Sequence, residues 1–167
     1  MFSKWRKKSN SNQAVEIVAP VSGEAVALSA VPDEAFAAGH MGQGIAIEPN
    51  EGKLIAPFNG TVAHVIKSNH ALILEQEGTG LQFLFHIGIN TVALKGEGFT
   101  SHVAASDKVK QGQLLIEFDL EQIKAAGYPV ITPVIVTNAD ELTESMETNT
   151  GTVTAGQDVL LKLVLRK

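Results

Sequence analysis

The sequence predicts an all-β domain, an antiparallel β-sandwich or barrel-like fold carrying one or two short helices. Two observations support this. Short apolar stretches follow one another along the chain, and Gly, Pro, Asn or Asp separates them at close spacing. Helical periodicity, by contrast, never runs long enough to stand without packing on sheets.

Residues 1–13 form a basic arm. Phe2 and Trp5 stand among Lys4, Arg6, Lys7 and Lys8, and small polar residues over 9–13 read as a linker. The arm is expected to be a solvated tail. Weak contact with an anionic lipid surface is the second reading, at about 1 kcal/mol per basic residue. The domain proper is assigned to residues 14–167.

Strands are expected over 15–18, 24–28, 44–47, 60–66, 71–74, 81–87, 114–118, 130–136 and 159–165. Asp119 is placed to cap a short helix over 120–124 that Gly127 and Pro129 stop. A second helical turn is expected within 139–146. Asp107-Lys-Val-Lys-Gln-Gly-Gln-Leu-Leu-Ile echoes Gly151-Thr-Val-Thr-Ala-Gly-Gln-Asp-Val-Leu, which reads as one turn used twice, through Gly112 and Gly156.

Composition narrows the functional classes. The chain has 167 residues, a hydrophobic fraction of 44% and a formal charge of −5, so a folded domain is expected and nucleic acid is not the expected partner. There is no cysteine, which removes disulfides, thiolate chemistry and cysteine-based zinc sites. No apolar run reaches the ~20 residues of a membrane-spanning helix, and the basic N-terminus lacks the apolar stretch of a secretory signal. A cytoplasmic location is the expectation.

The chemistry is concentrated between His70 and His86. In 81–87, strand alternation puts Leu81, Phe83, Phe85 and Ile87 on a core face, with Gln82, Leu84 and His86 opposite. The preceding apolar stretch connects through a Gly-rich hairpin. A two-residue loop at Gly78-Thr79 would set His86 opposite Ala71, with the histidines on opposite faces. A three-residue loop ending at Gly80 would leave His70 diagonal to His86 on one face, and is the favoured form. Two imidazoles on one face suit phosphohistidine chemistry. A neutral ring nitrogen attacks, and a second ring N–H stabilises the phosphoryl oxygens with help from amides of 87–90.

These residues sit in a longer pattern. Ser68-Asn69-His70-Ala71, Phe85-His86-Ile87-Gly88-Ile89-Asn90-Thr91-Val92 and Leu94-Lys95-Gly96-Glu97-Gly98-Phe99 resemble the glucose-type enzyme IIA domain of the phosphoenolpyruvate-dependent sugar phosphotransferase system. Ala19-Pro20-Val21-Ser22-Gly23, Val31-Pro32-Asp33, Phe36, Gly42-Gln43-Gly44-Ile45-Ala46-Ile47 and Ala56-Pro57-Phe58-Asn59-Gly60-Thr61-Val62 extend the match upstream. Glu117-Phe118-Asp119 and Thr132-Pro133-Val134 extend it downstream, so that it covers about residues 14–166.

The resemblance implies a sandwich of antiparallel sheets around a shallow apolar depression. It implies that His86 accepts phosphate from the histidine phosphocarrier protein HPr and passes it to the IIB domain of a sugar permease. It also implies that His70 steadies the phosphoryl group and that Ser68, where the family usually has threonine, orients His70. Asp33, Phe36, His40, Met41, Leu84 and Asn90 fall on the implied partner-binding face, with Phe36, Met41 and Leu84 supplying exposed apolar surface. Asn90 stands where many members carry aspartate, and His40 is an unusual residue for its stretch. Both bear on partner preference. No cofactor is implied, and no intrinsic metal site. Zinc on His70 and His86 would be incidental and would need a carboxylate from a partner.

Other readings fit less well. A lysostaphin-like zinc peptidase needs His-x-His, which does not occur here. A biotinyl or lipoyl carrier presents a lysine at a hairpin tip, and this tip is Gly78-Thr79-Gly80. No Gly-x-x-x-x-Gly-Lys-Ser/Thr loop exists for a nucleotide. A regulatory protein-binding module on the same scaffold is the principal alternative, but only a carrier needs both histidines.

Overall fold

A computed structural model describes residues 14–166; the N-terminal arm lies outside the described residues. The first part of the chain contains strands β1 (Ala14–Val18) and β2 (Gly23–Ala27), a short helix α1 (Glu34–Ala37), then β3 (Gln43–Pro49), β4 (Lys53–Ile55) and β5 (Gly60–Val65). The central part contains β6 (Ala71–Gln76), β7 (Gln82–His86), β8 (Phe99–Ser101), β9 (Lys108–Val109) and β10 (Leu114–Phe118). Helix α2 (Leu120–Ala125), β11 (Thr132–Val136), α3 (Ala139–Leu142), β12 (Thr143–Thr148), β13 (Gly151–Val153) and β14 (Val159–Leu165) complete it. No helix among the described residues is long and apolar enough to cross a membrane.

Every strand pairing is antiparallel. The strands form an eight-stranded sheet, ordered β13-β2-β3-β11-β7-β6-β5-β9, and two three-stranded sheets, β1-β14-β12 and β4-β10-β8. They do not close into one barrel, so the sandwich half of the expected fold class describes the architecture.

The large sheet is buried on both faces at its centre. One face contributes Phe83, Phe85, Leu72, Leu74, Val134 and Val136 to the main core. The other contributes Leu84, Ile135, Ala46 and Ala71 to a smaller cluster closed by Val31 and Phe36. Each large side chain fully buried in this way contributes about 1.5–3 kcal/mol. β11 is buried at all five positions, which is why residues 132–136 read as a continuous apolar run rather than an alternation.

The predicted short helix stands at α2, and Asp119 accepts a hydrogen bond from the Gln122 amide at 3.0 Å. The expected turn over 139–146 is helical only to Leu142. From Thr143 the chain becomes edge strand β12, pairing with β14. The repeated turn is present and is more extensive than the sequence echo. Gly112 donates to the Ala56 carbonyl and Gly156 to the Ala19 carbonyl, both at 2.8 Å. The side chains of Asn59 and Ser22 then accept from the Gln111 and Ala155 amides. Each turn therefore docks on an Ala-Pro-x-x-Gly segment, 19–23 or 56–60.

The favoured hairpin register is corrected. Ala71 pairs with His86, Ile73 with Leu84 and Glu75 with Gln82, the register of the two-residue alternative. Gln76 accepts from Gly80 and donates to Leu81, so four residues, 77–80, make the loop. Gly78 and Gly80 both adopt positive φ, at 89° and 78°. Thr79 between them donates to the Gln76 side chain and accepts from the Leu81 amide. Asn138 braces the loop from outside, donating to the Gly80 carbonyl and accepting from the Gln82 amide. Two left-handed glycines and an external brace favour the wider loop over the three-residue one.

The sheet leaves no room for a side chain at Gly44 in β3. A Cβ there would lie 2.0 Å from the Val134 carbonyl oxygen and 3.0 Å from the Ile135 Cα, both backbone atoms of β11. Gly44→Ala is expected to lower the unfolding free energy by about 2–3 kcal/mol in urea denaturation, because the β3–β11 pair must separate to admit the methyl group. An unchanged urea midpoint would contradict this packing.

Candidate functional site

The site forms where the ladder around β7 ends. β11 and β7 pair from Val136↔Phe83 to Val134↔Phe85. The next position on β11 is Pro133, which has no N–H to offer, and the ladder stops opposite His86. Beyond His86 the chain turns away through Ile87-Gly88-Ile89. Gly88 adopts φ 74°, and Ile89 donates to the Pro129 carbonyl at 3.1 Å.

His70 lies just before β6, following Asn69 in the left-handed region at φ 61°. Asn69 donates to the Ile66 carbonyl, which tightens the turn leaving β5. This break separates His64, in β5, from His70. His70 still accepts from the Ile87 amide through its carbonyl, at 2.7 Å. The two imidazoles meet with ring centroids 4.9 Å apart and planes nearly perpendicular. Their proximity therefore does not come from diagonal neighbours on one face. It comes from two chains leaving a ladder side by side, outside the range where strand alternation holds.

Each ring is oriented by its Nδ1. That of His86 lies 2.8 Å from the Gly88 carbonyl oxygen, which can only accept, so Nδ1 carries the proton and Nε2 of the neutral ring keeps its lone pair. His70 Nδ1 lies 2.7 Å from the Ser68 hydroxyl. When that hydroxyl donates, His70 carries its own proton on Nε2. Phe36 closes the other side of His86, with centroids 5.1 Å apart, and Phe99 approaches His70 at 6.4 Å.

This packing keeps both rings neutral. Burial, with a smaller contribution from His86, lowers the His70 pKa from 6.5 to about 4. Burial also lowers that of His86, against the opposing influence of the Gly88 carbonyl and the Asp33 carboxylate. Asp33 thus reaches the site electrostatically. Its side chain also caps α1 by accepting from the Ala35 amide at 2.9 Å, which fixes the helix that carries Phe36.

The other expected residues are distributed unevenly. Met41 and His40 are exposed in the loop after α1, Met41 at 43%. Asn90 is exposed and left-handed at φ 63°, a conformation asparagine tolerates well. Phe36 and Leu84, expected as exposed apolar surface, are instead buried in the smaller cluster, because the α1 segment folds over that face of the sheet. Val92, 58% exposed, was not anticipated and supplies apolar surface beside Asn90. Two of the amides expected to help a phosphoryl group, those of Ile87 and Ile89, are already committed to His70 and Pro129. The Gly88 carbonyl as acceptor for His86, and the contacts of Thr91 and Pro129, were not expected from the sequence. A glycine after His-Ile was a weak signal for the first, and the others carried none. Among the described residues, no three His, Asp or Glu side chains converge to hold a metal ion.

Residues 15–142 match the family model for the phosphoenolpyruvate-dependent sugar phosphotransferase system, EIIA 1. The glucose-specific EIIA component of Oceanobacillus iheyensis is 40% identical over 160 residues, covering 96% of each chain. The beta-glucoside-specific EIIBCA component of Bacillus subtilis is 52% identical over 125 residues, which are 75% of this chain and 20% of that one. The chain thus spans about a fifth of such multi-component relatives. A solved structure, the glucose permease IIA from Mycoplasma capricolum, superposes with a TM-score of 0.80 at 30% identity, covering 90% of this chain and 96% of that one. This chain belongs to the EIIA 1 family of the phosphoenolpyruvate-dependent sugar phosphotransferase system.

Neutral burial of His70 has a sign that can be tested. Between pH 6.5 and about 4 the unfolded chain binds a proton at this residue that the folded chain does not, so stability falls as pH falls through that window and levels off below it. The loss is expected to approach roughly 3 kcal/mol at most. Urea unfolding of the wild type and of His70→Gln from pH 7.5 to 4 checks this. The variant's pH dependence should be the shallower one, and parallel curves would show that His70 is not buried neutral.

Proposed function

We propose that this chain is a phosphoryl carrier of the phosphotransferase system that holds the phosphoryl group on Nε2 of His86. It takes the group from the phosphocarrier protein HPr and passes it to the IIB component of a sugar permease. The observation that carries this reading is the hydrogen bond from His86 Nδ1 to the Gly88 carbonyl, which leaves Nε2 as the basic nitrogen of a neutral ring. Relatives that are beta-glucoside-specific EIIBCA components support the IIB partner.

In the proposed transfer, the Nε2 lone pair of His86 attacks phosphorus in line. The bond from phosphorus to the donor nitrogen breaks, and its electron pair stays with the donor ring. The His86 ring keeps its Nδ1 proton and becomes positively charged, which strengthens the hydrogen bond to Gly88. His70, with Ser68 donating to its Nδ1, offers an Nε2–H to a phosphoryl oxygen. Ser68 is therefore a positioning residue for His70. The partner surface in this reading is made of Asp33, Asn90, His40, Met41 and Val92, with the buried Phe36 and Leu84 beneath it; the exposure of His40, Met41, Asn90 and Val92 supports the assignment. The transfer needs ring nitrogens and no cofactor. Zinc held by His70 and His86 would need further ligands from outside the chain. A cytoplasmic location completes the proposal.

Phosphotransfer from phosphoenolpyruvate through purified enzyme I and HPr, followed by intact mass, tests the reading. Wild type should gain one acid-labile phosphate and His86→Ala none. His70→Ala should accept phosphate but pass it to a IIB domain roughly a hundredfold more slowly, the scale of losing one donor to a reacting oxyanion. A wild type that stays unmodified would leave the scaffold as a protein-binding module.

A further inference from the structure

His86 is oriented by a carbonyl two residues ahead of it, so something must in turn orient that carbonyl. The Ile87–Gly88 segment is irregular backbone outside the ladder, where no strand partner fixes it. Two backbone contacts hold its flanks, Ile87 N–H to the His70 carbonyl at 2.7 Å and Ile89 N–H to the Pro129 carbonyl at 3.1 Å. The third contact comes from a side chain. The Thr91 hydroxyl donates to the Ile87 carbonyl at 2.6 Å, and Thr91 is completely buried.

The other branch of the same residue packs beneath Gly88. A Cβ added at Gly88 would lie 2.5 Å from the Thr91 Cγ2 and 2.8 Å from the Pro129 carbonyl oxygen. Thr91 thus touches the loop on both sides of one peptide unit, with its hydroxyl on the carbonyl of Ile87 and its methyl against the α-carbon of Gly88. The Gly88 carbonyl belongs to the next peptide, Gly88–Ile89, whose N–H is held by Pro129. Turning it away from His86 means rotating ψ of Gly88 with φ of Ile89, and the Thr91 contacts anchor the Gly88 α-carbon and the peptide before it, against which that rotation would have to work.

We propose that Thr91 is a positioning residue for phosphoryl acceptance: by clamping the Ile87–Gly88 peptide it aims the Gly88 carbonyl at His86 Nδ1 and so keeps the lone pair on Nε2. If the carbonyl turns away, Nδ1 loses its acceptor and the neutral ring is free to move its proton to Nε2. The lone pair then lies on the nitrogen that faces the protein's own backbone. The statement about the acceptor nitrogen rests on the carrier reading above. The statement about the ring tautomer does not.

The test uses ring-nitrogen NMR of the unphosphorylated full-length chain near pH 8, where the His86 tautomer is read directly, together with phosphorus NMR after loading from phospho-HPr. Thr91→Val keeps a branched, buried side chain and removes only the hydroxyl, and Thr91→Ser keeps the hydroxyl. Loss of one such hydrogen bond is expected to raise the Nε2–H tautomer of His86 roughly fivefold in Thr91→Val, with Thr91→Ser remaining close to wild type. On loading, Thr91→Val should form phosphohistidine more slowly and with a detectable share on Nδ1. A folded Thr91→Val with the wild-type tautomer ratio overturns the proposal, whatever happens on loading. Should Thr91→Val fail to fold, Thr91→Ala replaces it: a tautomer shift in Ala that Ser does not share supports the clamp, and equal behaviour of Ala and Ser overturns it. Failure of every variant and the wild type to accept phosphate would sink the carrier reading, while the tautomer measurement would still decide the role of Thr91.

Discussion

Strand β7 is held between β6 and β11 and buried on both faces, and the site follows from where that double pairing ends. Phe83 and Phe85 point into the main core and Leu84 into the smaller cluster, so a one-residue slip would exchange the two sets and cost several buried side chains at once. His86 is the next residue in this alternation. Its position is therefore fixed by three apolar neighbours in sequence. Pro133 ends the β11 ladder opposite it and releases the following backbone. That release makes a carbonyl two residues ahead available to its ring. A histidine one residue earlier or later, at position 85 or 87, would point into the main core.

The apolar surroundings then determine the protonation state. Phe36, His70 and the buried sheet face remove water from the imidazoles, and removal of water disfavours the charged form. Asp33 opposes this at His86 from the end of α1. The same carboxylate caps the helix that brings Phe36 to the ring, so one side chain serves both the apolar wall and the charge beside it. A residue with two such duties is poorly replaceable. Asparagine would preserve the cap and lose the charge, and alanine would lose both.

The sequence made the core face of β7, the cap of α2, the repeated turn and both histidines legible, since each rests on alternation, a capping rule or a motif that a short window contains. The hairpin register was not legible. It is decided by Asn138, more than fifty residues away, bracing Gly80 and Gln82. Strands β4, β8, β9 and β13 are two or three residues long, too short to show a period. Burial of Phe36 and Leu84 is not legible, because an apolar residue on the outward face of a strand looks the same in sequence whether or not a helix covers it, and so does the apolar residue of the covering helix. The role of Thr91 is hidden for a related reason. Its hydroxyl is satisfied four residues back along the chain, and nothing in Asn90-Thr91-Val92 distinguishes a buried clamp from a surface turn residue.

On the carrier reading, these opposing influences on His86 have a common logic. A phosphoryl group that must be accepted and given away cannot sit in a site that binds it as tightly as possible, since stabilising the bound state alone deepens the well from which it must leave. A ring N–H from His70 favours the phosphorylated state, while the Asp33 carboxylate disfavours the added negative charge and favours the positive charge that develops on the attacking ring. The transition state, with charge spread between two rings and the moving group, gains from both. Asn90 fits the same scheme. A neutral amide at this exposed left-handed position adds no second carboxylate beside the phosphoryl group, so Asp33 is the acidic residue whose field is felt at His86. The balance between holding and releasing then depends on how firmly the ring is aimed, and that is set by backbone carbonyls and the residues that fix them rather than by further charged groups.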